Sequence, residues 1–284
     1  MKIILNFNTI QYRNNINFRA SAPFKSAGNR IIADTIELSS KNNIPQAADL
    51  IPKKYINMLR ERFFRDYSVE EILDMKNRYA EIINISDRIQ FLKLACQELK
   101  KDYGIENIPT KLNTELKSYN YADGITPKGK CAPHYDEGYI EIGIDTKSQS
   151  NQSLFRIIAH ELRHVLQTVK CYQHSSNQEY ANVLLEKYRK FHQFDFMTDE
   201  EIMSKHIIPF VNSMAEFFEN NGIKKLDKTD AGYNFGRKIL RSHRTPANSN
   251  IAAYIDAYHE RDAKETESLM YNIAYFLNNK YTVI

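Results

Sequence analysis

The stretch from about Ser153 to Gln173 has the apolar periodicity of one long amphipathic helix. With His160 as the origin of a helical wheel, its large apolar residues fall between about 120° and 240°, namely Leu154, Phe155, Ile158, Leu162, Val165, Leu166 and Val169. Its basic and amide residues fall between about 280° and 340°, namely Arg156, Arg163, Gln167 and Lys170. We expect this wide apolar face to be buried. We expect the basic face of the helix to be solvated.

A narrow strip between these two faces carries His160, Glu161 and His164, which belong to an HExxH pattern, His160-Glu-Leu-Arg-His164. Residues i and i+4 lie on the same side of a helix about one turn apart, so both imidazoles can bind one metal ion. Glu161 lies close enough to reach a metal-bound water, as a general base must. The competing interpretation is a helix at the solvent edge with two incidental histidines. Because the spacing satisfies a definite chemical need, the sequence favours a metal site.

A catalytic zinc site needs a third protein ligand and an open position for water. Glu260 lies in Tyr258-His-Glu-Arg-Asp-Ala263, where the small Ala263 lets its helix approach closely. Glu179, which lies at the start of the next predicted helix, suits a compact helix-loop-helix site. Two further acids are possible, Asp256 and Asp262. For each acid taken alone, a place on a solvated helix face is the commoner situation.

The chain divides into an irregular N-terminal extension, residues 1–45, and a single domain, residues 46–284. The domain has three predicted parts, which are a helical layer (46–105), a small mixed or antiparallel sheet (106–150) and a set of helices (151–284). Strand candidates lie around Lys111–Tyr119 and at Tyr139–Ile144, among turn-forming glycines and prolines. The predicted fold class is therefore α+β, mainly helical.

Further helices are predicted from apolar periodicity and capping signals. Ser68-Val-Glu-Glu71 and Thr198-Asp-Glu-Glu201 have the form of capping boxes, and Pro209 is expected to kink the helix that the second one starts. The predicted spans are Ala47–Tyr67, Ser68–Ile83, Ser86 or Asp87 to Gly104, Gln178–Phe191, Thr198–Asn221, Ala231–Ser242 and Ile251–Leu277.

Composition and charge argue against several classes of protein. The 39 Lys+Arg against 35 Asp+Glu give a net charge of +4, without the basic tracts of nucleic-acid binders. No stretch reaches the roughly 18 consecutive apolar residues of a membrane span. Cys96, Cys131 and Cys171 are odd in number and far apart, which argues against a disulfide framework. Because the sequence shows no secretory signal, we expect a cytoplasmic location by default, and export by a non-standard route stays open. The sequence does not determine the oligomeric state.

Two segments carry a resemblance to a known superfamily. Ala159-His-Glu-Leu-Arg-His-Val-Leu-Gln167, after the strand Tyr139–Ile144, resembles the active-site helix of the zincin metallopeptidases. The segment Tyr254…Glu260-Arg-Asp-Ala263 resembles those that supply a glutamate as the third ligand in many zincins. The resemblance covers about residues 139–173 and 254–265 and identifies no subfamily.

This resemblance implies a zincin-like fold of the gluzincin-like type. It also implies one Zn²⁺ ion bound by His160, His164 and Glu260, with Glu179 as the alternative third ligand. In zincins, an extended peptide pairs with the edge of the strand before the active-site helix. The third histidine of the metzincins is absent here, because position 170 is Lys.

The predicted function is zinc-dependent hydrolysis of peptide bonds, with Glu161 as general base for the attacking water. The transition state needs a hydrogen-bond donor besides the metal, and the candidates are Tyr254, Tyr258, His259 and His243. The predicted partner is a peptide or protein substrate, with no nucleic acid and no membrane. The alternative is a non-catalytic helical interaction protein whose HExxH helix is degenerate or incidental. A zinc enzyme with a non-peptide substrate is a third possibility.

Overall fold

A computed structural model describes residues 53–115, 128–147, 149–190, 194–244 and 257–276. The predicted extension, residues 1–45, lies outside them. The helices of the described part are α1 (Lys53–Phe63), α2 (Val69–Ile83), α3 (Arg88–Asp102), α4 (Asn151–Gln173), α5 (Asn177–Tyr188), α6 (Asp199–Ile202), α7 (Ile208–Asn220), α8 (Tyr233–Ser242) and α9 (Tyr258–Phe276). Its strands are β1 (Thr110–Asn113), β2 (Gly129–His134) and β3 (Tyr139–Ile144). The predicted class is confirmed at this level, a mainly helical α+β fold with a small mixed sheet. None of the described helices is both long and apolar enough to cross a membrane.

The helix starts follow the capping signals of the sequence. Ser68 and Glu71 exchange side-chain and backbone hydrogen bonds at the start of α2, and Thr198 and Glu201 do the same for α6. Asp87 caps α3 by accepting from the backbone of Gln90. Each cap satisfies N–H groups that have no partner inside the helix.

The predicted kink at Pro209 takes the form of a π-helical turn. α6 continues through this turn, Met203–Ile207, into α7, and Pro209 lies in the first turn of α7. Proline lacks the N–H that would continue the regular α-helical bonding pattern. The wider turn accommodates that missing donor without ending the helix.

The sheet has the strand order β1-β3-β2, in which β3 is parallel to β1 and antiparallel to β2. The prediction of β3 is confirmed residue for residue, whereas β2 is missing from the prediction because its glycine and proline were interpreted as turn residues. Pro133 is compatible with a strand here because β2 is an edge strand, where one N–H is not needed for pairing.

The long helix α4 lies at the centre of the fold. It packs against the sheet and against α3, α8 and α9. The predicted apolar face is confirmed, since all of its members are buried, namely Leu154, Phe155, Ile158, Leu162, Val165, Leu166 and Val169. The expectation of a solvated basic face is wrong for three of its four residues, because Arg156, Arg163 and Gln167 form hydrogen bonds with α9. Arg163 is 0% exposed and Gln167 is 1% exposed. Acidic residues of α9 neutralise the face, and Arg156 Nε donates to Glu267 Oε1 at 2.9 Å.

Candidate metal centre

His160 and His164 of α4 meet Glu260 of α9 in a buried cluster. The Nε2 atoms of His160 and His164 are 3.0 Å apart. Glu260 Oε2 is 3.5 Å from His160 Nε2, and Glu260 Oε1 is 3.5 Å from His164 Nε2. The three side chains are 1%, 4% and 6% exposed, respectively, for His160, His164 and Glu260. One ligand atom from each lies within 4.8 Å of the others, so the group could hold a metal ion.

The proton position on His164 follows from its neighbour Gln167. The amide nitrogen of Gln167 donates to the carbonyl of His259 at 2.8 Å and to Asp262 Oδ2 at 2.8 Å. Its amide oxygen therefore faces His164 Nδ1, 2.8 Å away, and must accept a hydrogen bond there. Neutral His164 thus carries its proton on Nδ1 and turns the lone pair of Nε2 into the cluster.

His160 is held in a similar way by an acid. Its Nδ1 lies 3.3 Å from Glu267 Oε2, an atom that accepts hydrogen bonds when the acid is ionised. With Nδ1 protonated, the Nε2 lone pair of His160 points at that of His164 and at the Glu260 carboxylate. When His160 is neutral, these three acceptors repel one another, and a cation among them removes the repulsion. The donor set therefore fits a metal ion.

The pKa values of the three cluster residues also indicate that the cluster favours a positive charge. Burial acts to lower the pKa of His160, but hydrogen bonds to Glu260 and Glu267 outweigh it and raise this pKa to about 10. Burial lowers the pKa of His164 to about 3. Burial acts to raise the pKa of Glu260, but the neighbouring histidines outweigh it and lower this pKa to about 2. In the metal-free protein, a proton on His160 therefore supplies the positive charge.

Glu161 lies beside this cluster, and the environment of its carboxylate is unusual for an acid. It is 0% exposed, and among the described residues neither of its side-chain oxygens has a hydrogen-bond partner. Burial raises its pKa from 4.5 to about 8. An unpaired polar group of this kind is expensive to bury, and such groups are found where a ligand or a reaction uses them.

Gly129, the first residue of β2, has no side chain and therefore leaves room for the Glu161 carboxylate. A Cβ atom on Gly129 would lie 2.4 Å from Glu161 Oε1 and 2.7 Å from Ile157 Cγ2. Since real Cβ contacts are never this short, a side chain at position 129 would displace Glu161 or Ile157. Gly129 thus brings the edge strand β2 against the HExxH motif.

This arrangement corrects the expectation for the strand before α4. β3 is paired on both sides, with β1 through residues 140–143 and with β2 through residues 139–144. The implied pairing of a peptide with the edge of Tyr139–Ile144 is therefore wrong. The edge strand that approaches Glu161 is β2.

The structure separates the two candidates for the third ligand. Glu179 is exposed and completes a capping box with Ser176 at the start of α5. Its Oε1 lies 2.9 Å from Arg237 Nη1. The structure therefore groups Glu260, and not Glu179, with the histidine pair.

The two aspartates that were further possibilities have different outcomes. Asp262 is buried, but it accepts from Arg163 Nε at 2.7 Å and from Arg62 Nη1 at 2.7 Å, so its charge is neutralised by guanidinium groups. Asp256 lies outside the described residues.

Among the candidates for a transition-state donor, His259 lies next to the Glu260 carboxylate of the cluster. Its Nε2 is 3.6 Å from Glu260 Oε1, and its Nδ1 is 3.0 Å from Ser242 Oγ. The ring of His243 lies 5.2 Å from that of His259. Tyr258 instead packs its ring against Phe235 of α8, with centroids 6.2 Å apart. Tyr254 lies outside the part of the chain that the structure describes.

Gln167 and Glu267, which orient the two histidines, are absent from the predicted set. The sequence does carry a signal for each. Gln167 follows His164 by three residues and Glu267 follows Glu260 by seven, which places each on the same helix face as the ligand. The hydrogen bonds that reveal their roles join residues of α4 and α9, so they are visible only in the fold.

Comparisons with known proteins add no further assignment. The chain matches no family model, no curated protein and no solved structure. The geometry of the cluster is therefore the basis for any functional conclusion. The structure shows a buried His160-His164-Glu260 group that could bind a metal ion.

Proposed function

We propose that this chain is a zinc-dependent metallopeptidase of the zincin type. The observation that carries the proposal is the buried, unpaired carboxylate of Glu161 beside the converging acceptors of His160, His164 and Glu260. A merely structural metal site has no need for such a group, since it closes its coordination with protein ligands. Hydrolysis does need it, because a carboxylate must handle the proton of the attacking water.

Zinc is the metal that this donor set favours. Two imidazole nitrogens and one carboxylate form a common ligand set of catalytic zinc, whereas Mg²⁺ and Ca²⁺ prefer oxygen ligands throughout. Three protein ligands leave one coordination position open. When bound, zinc polarises a substrate carbonyl and lowers the pKa of water to about 7.

In the proposed reaction, Glu161 takes the proton of the attacking water and then returns it to the amine that leaves. Its pKa of about 8 in the metal-free protein favours uptake of a proton near neutral pH. A nearby cation lowers that pKa, so the same carboxylate is ionised when it must act as a base.

The alternative function is a non-catalytic helical interaction protein, and one observation favours it. The side chains of the cluster, namely His160, His164 and Glu260, and that of Glu161 are at most 6% exposed. A closed centre of this kind could tie α4 to α9 without admitting a substrate. Activity separates the two functions, because a structural centre binds metal but hydrolyses nothing.

The experiment compares the wild type with Glu161→Gln in metal content and in hydrolysis of a mixed-peptide substrate. About one zinc per chain is expected in both proteins, with hydrolysis in the wild type only. Glu216→Gln, which changes an exposed acid of α7, serves as the matched control and should retain full activity. Equal hydrolysis by Glu161→Gln and the wild type would exclude Glu161 as the base. A wild type that binds zinc but cleaves no peptide would favour the alternative.

A further inference from the structure

We propose that Gln167 and Asp262 form a positioning relay that fixes His164 and thereby sets the metal affinity of the centre. Neither residue contributes a ligand atom to the cluster. The relay runs from His164 to Gln167, then to Asp262, and ends at two arginines. This inference rests on the proposed metal centre and names the residues that prepare it.

The first step is the side-chain amide of Gln167, which has every hydrogen-bonding group in use. Its nitrogen donates to two acceptors, the carbonyl of His259 and Asp262 Oδ2, both at 2.8 Å. An amide turned the other way would place its oxygen against these two acceptors, which is unfavourable. The orientation of Gln167 is therefore fixed, and its oxygen holds the Nδ1 proton of His164.

The second step is the carboxylate of Asp262, which is 5% exposed. Arg163 binds it with two donors, Nε to Oδ2 at 2.7 Å and Nη2 to Oδ1 at 3.1 Å. Arg62 donates to Oδ1 from another direction at 2.7 Å. Asp262 is thus a rigid, ionised acceptor for Gln167.

The third step closes the relay through the main chain. Gln167 contacts the carbonyl of His259, and the next residue along α9 is Glu260. The same amide therefore fixes the ring of His164 and the backbone beside the third ligand. Contacts of this kind usually change metal affinity about 10-fold to 100-fold when they are removed. Loss of Gln167 should therefore weaken the metal centre without removing any ligand.

The test is the zinc affinity of Gln167→Met, measured by competition with a chromogenic chelator. Methionine has a similar length and no amide, so the apolar stem remains. The expected result is about 10-fold to 100-fold weaker binding than in the wild type. Gln178→Met, on the exposed face of α5, is the matched control and should bind as the wild type does. Gln167→Asn keeps the amide but is too short to span the same partners, so it should weaken binding in the same way.

A second measurement reports the relay without any metal. Nitrogen-15 chemical shifts of the imidazoles reveal which ring nitrogen carries the proton. In the metal-free wild type, His164 should be protonated on Nδ1, and Gln167→Met should show a mixture of the two tautomers.

The outcomes separate the relay from the proposed function. Unchanged zinc affinity and an unchanged His164 tautomer in a folded Gln167→Met would overturn the relay alone. A wild type that binds no zinc would overturn both the metal centre and the effect of the relay on affinity.

Discussion

Glu161 shows what burial beside the His160-His164-Glu260 cluster means for a single carboxylate. Its carboxylate is fully buried and has no hydrogen-bond partner in the described part of the chain. Because burial raises its pKa to about 8, the folded metal-free protein keeps a proton that the unfolded chain releases above its ordinary pKa of 4.5. The contribution of Glu161 to the stability of the metal-free protein should therefore fall as the pH rises from about 4.5 to about 8.

Glu161→Gln should remove this pH dependence, because glutamine resembles the protonated acid. At pH 7 the variant is expected to be more stable than the wild type by up to about 3 kcal/mol, and at pH 4.5 the difference should vanish. Urea unfolding in the presence of a chelator measures the free energy at both pH values. A difference that is equal at both pH values would contradict a titrating Glu161 as its source.

The pairing of α4 with α9 shows how far helices could be predicted from the sequence. The apolar periodicity of α4 was sufficient to predict which residues form its apolar face and which form the strip with His160, Glu161 and His164. The environment of Arg163 was not predictable in the same way, because arginine is usually exposed and its partner Asp262 lies 99 positions away in the chain. The helical wheel of α4 shows only the residues of α4, so it does not predict which charged residues of α9 pack against it.

Arg163→Ala should be strongly destabilising for this reason. It removes the bidentate one of the two guanidinium partners of the buried Asp262 carboxylate, and breaking a buried ion pair in this way costs about 3 to 5 kcal/mol. The control is Arg189→Ala, which breaks an exposed ion pair with Asp199 and should cost at most about 1 kcal/mol. Chemical denaturation of both variants gives the comparison. Similar small losses in the two variants would show that Asp262 does not depend on Arg163.

At the scale of the whole molecule, the site draws on α4, α9 and β2. The mainly helical α+β class was predictable from the sequence, because most elements carry their own periodicity and caps. The choice between Glu260 and Glu179 depended on how the chain returns on itself, which spacing alone left open. β2 was missed because Gly129 and Pro133 have the local signature of a turn. Their compatibility with a strand depends on the neighbour β3 and on space beside Glu161.

Zinc should stabilise the whole domain, and more so at higher pH. At a free zinc concentration 100 times Kd, the expected gain is about 2.7 kcal/mol. Because the pKa of His160 in the metal-free protein is about 10, zinc must displace a proton from it, and this competition becomes weaker as the pH rises. Thermal unfolding with zinc at pH 6 and pH 8 should show the larger shift in Tm at pH 8. His164→Ala should show almost no shift, and a shift equal to that of the wild type would place the zinc elsewhere.

The separation of α4 and α9 along the chain also has a consequence for the order of synthesis. The side-chain hydrogen bonds described between them join residues 92 to 111 positions apart. At about 5 to 20 residues per second, a ribosome completes the HExxH helix roughly 5 to 20 seconds before it has added Glu260. During that interval the nascent chain has two histidines and a base but lacks the acid that completes the cluster. A chain that stops before α9 would therefore be released without an assembled centre, whatever metal surrounds it.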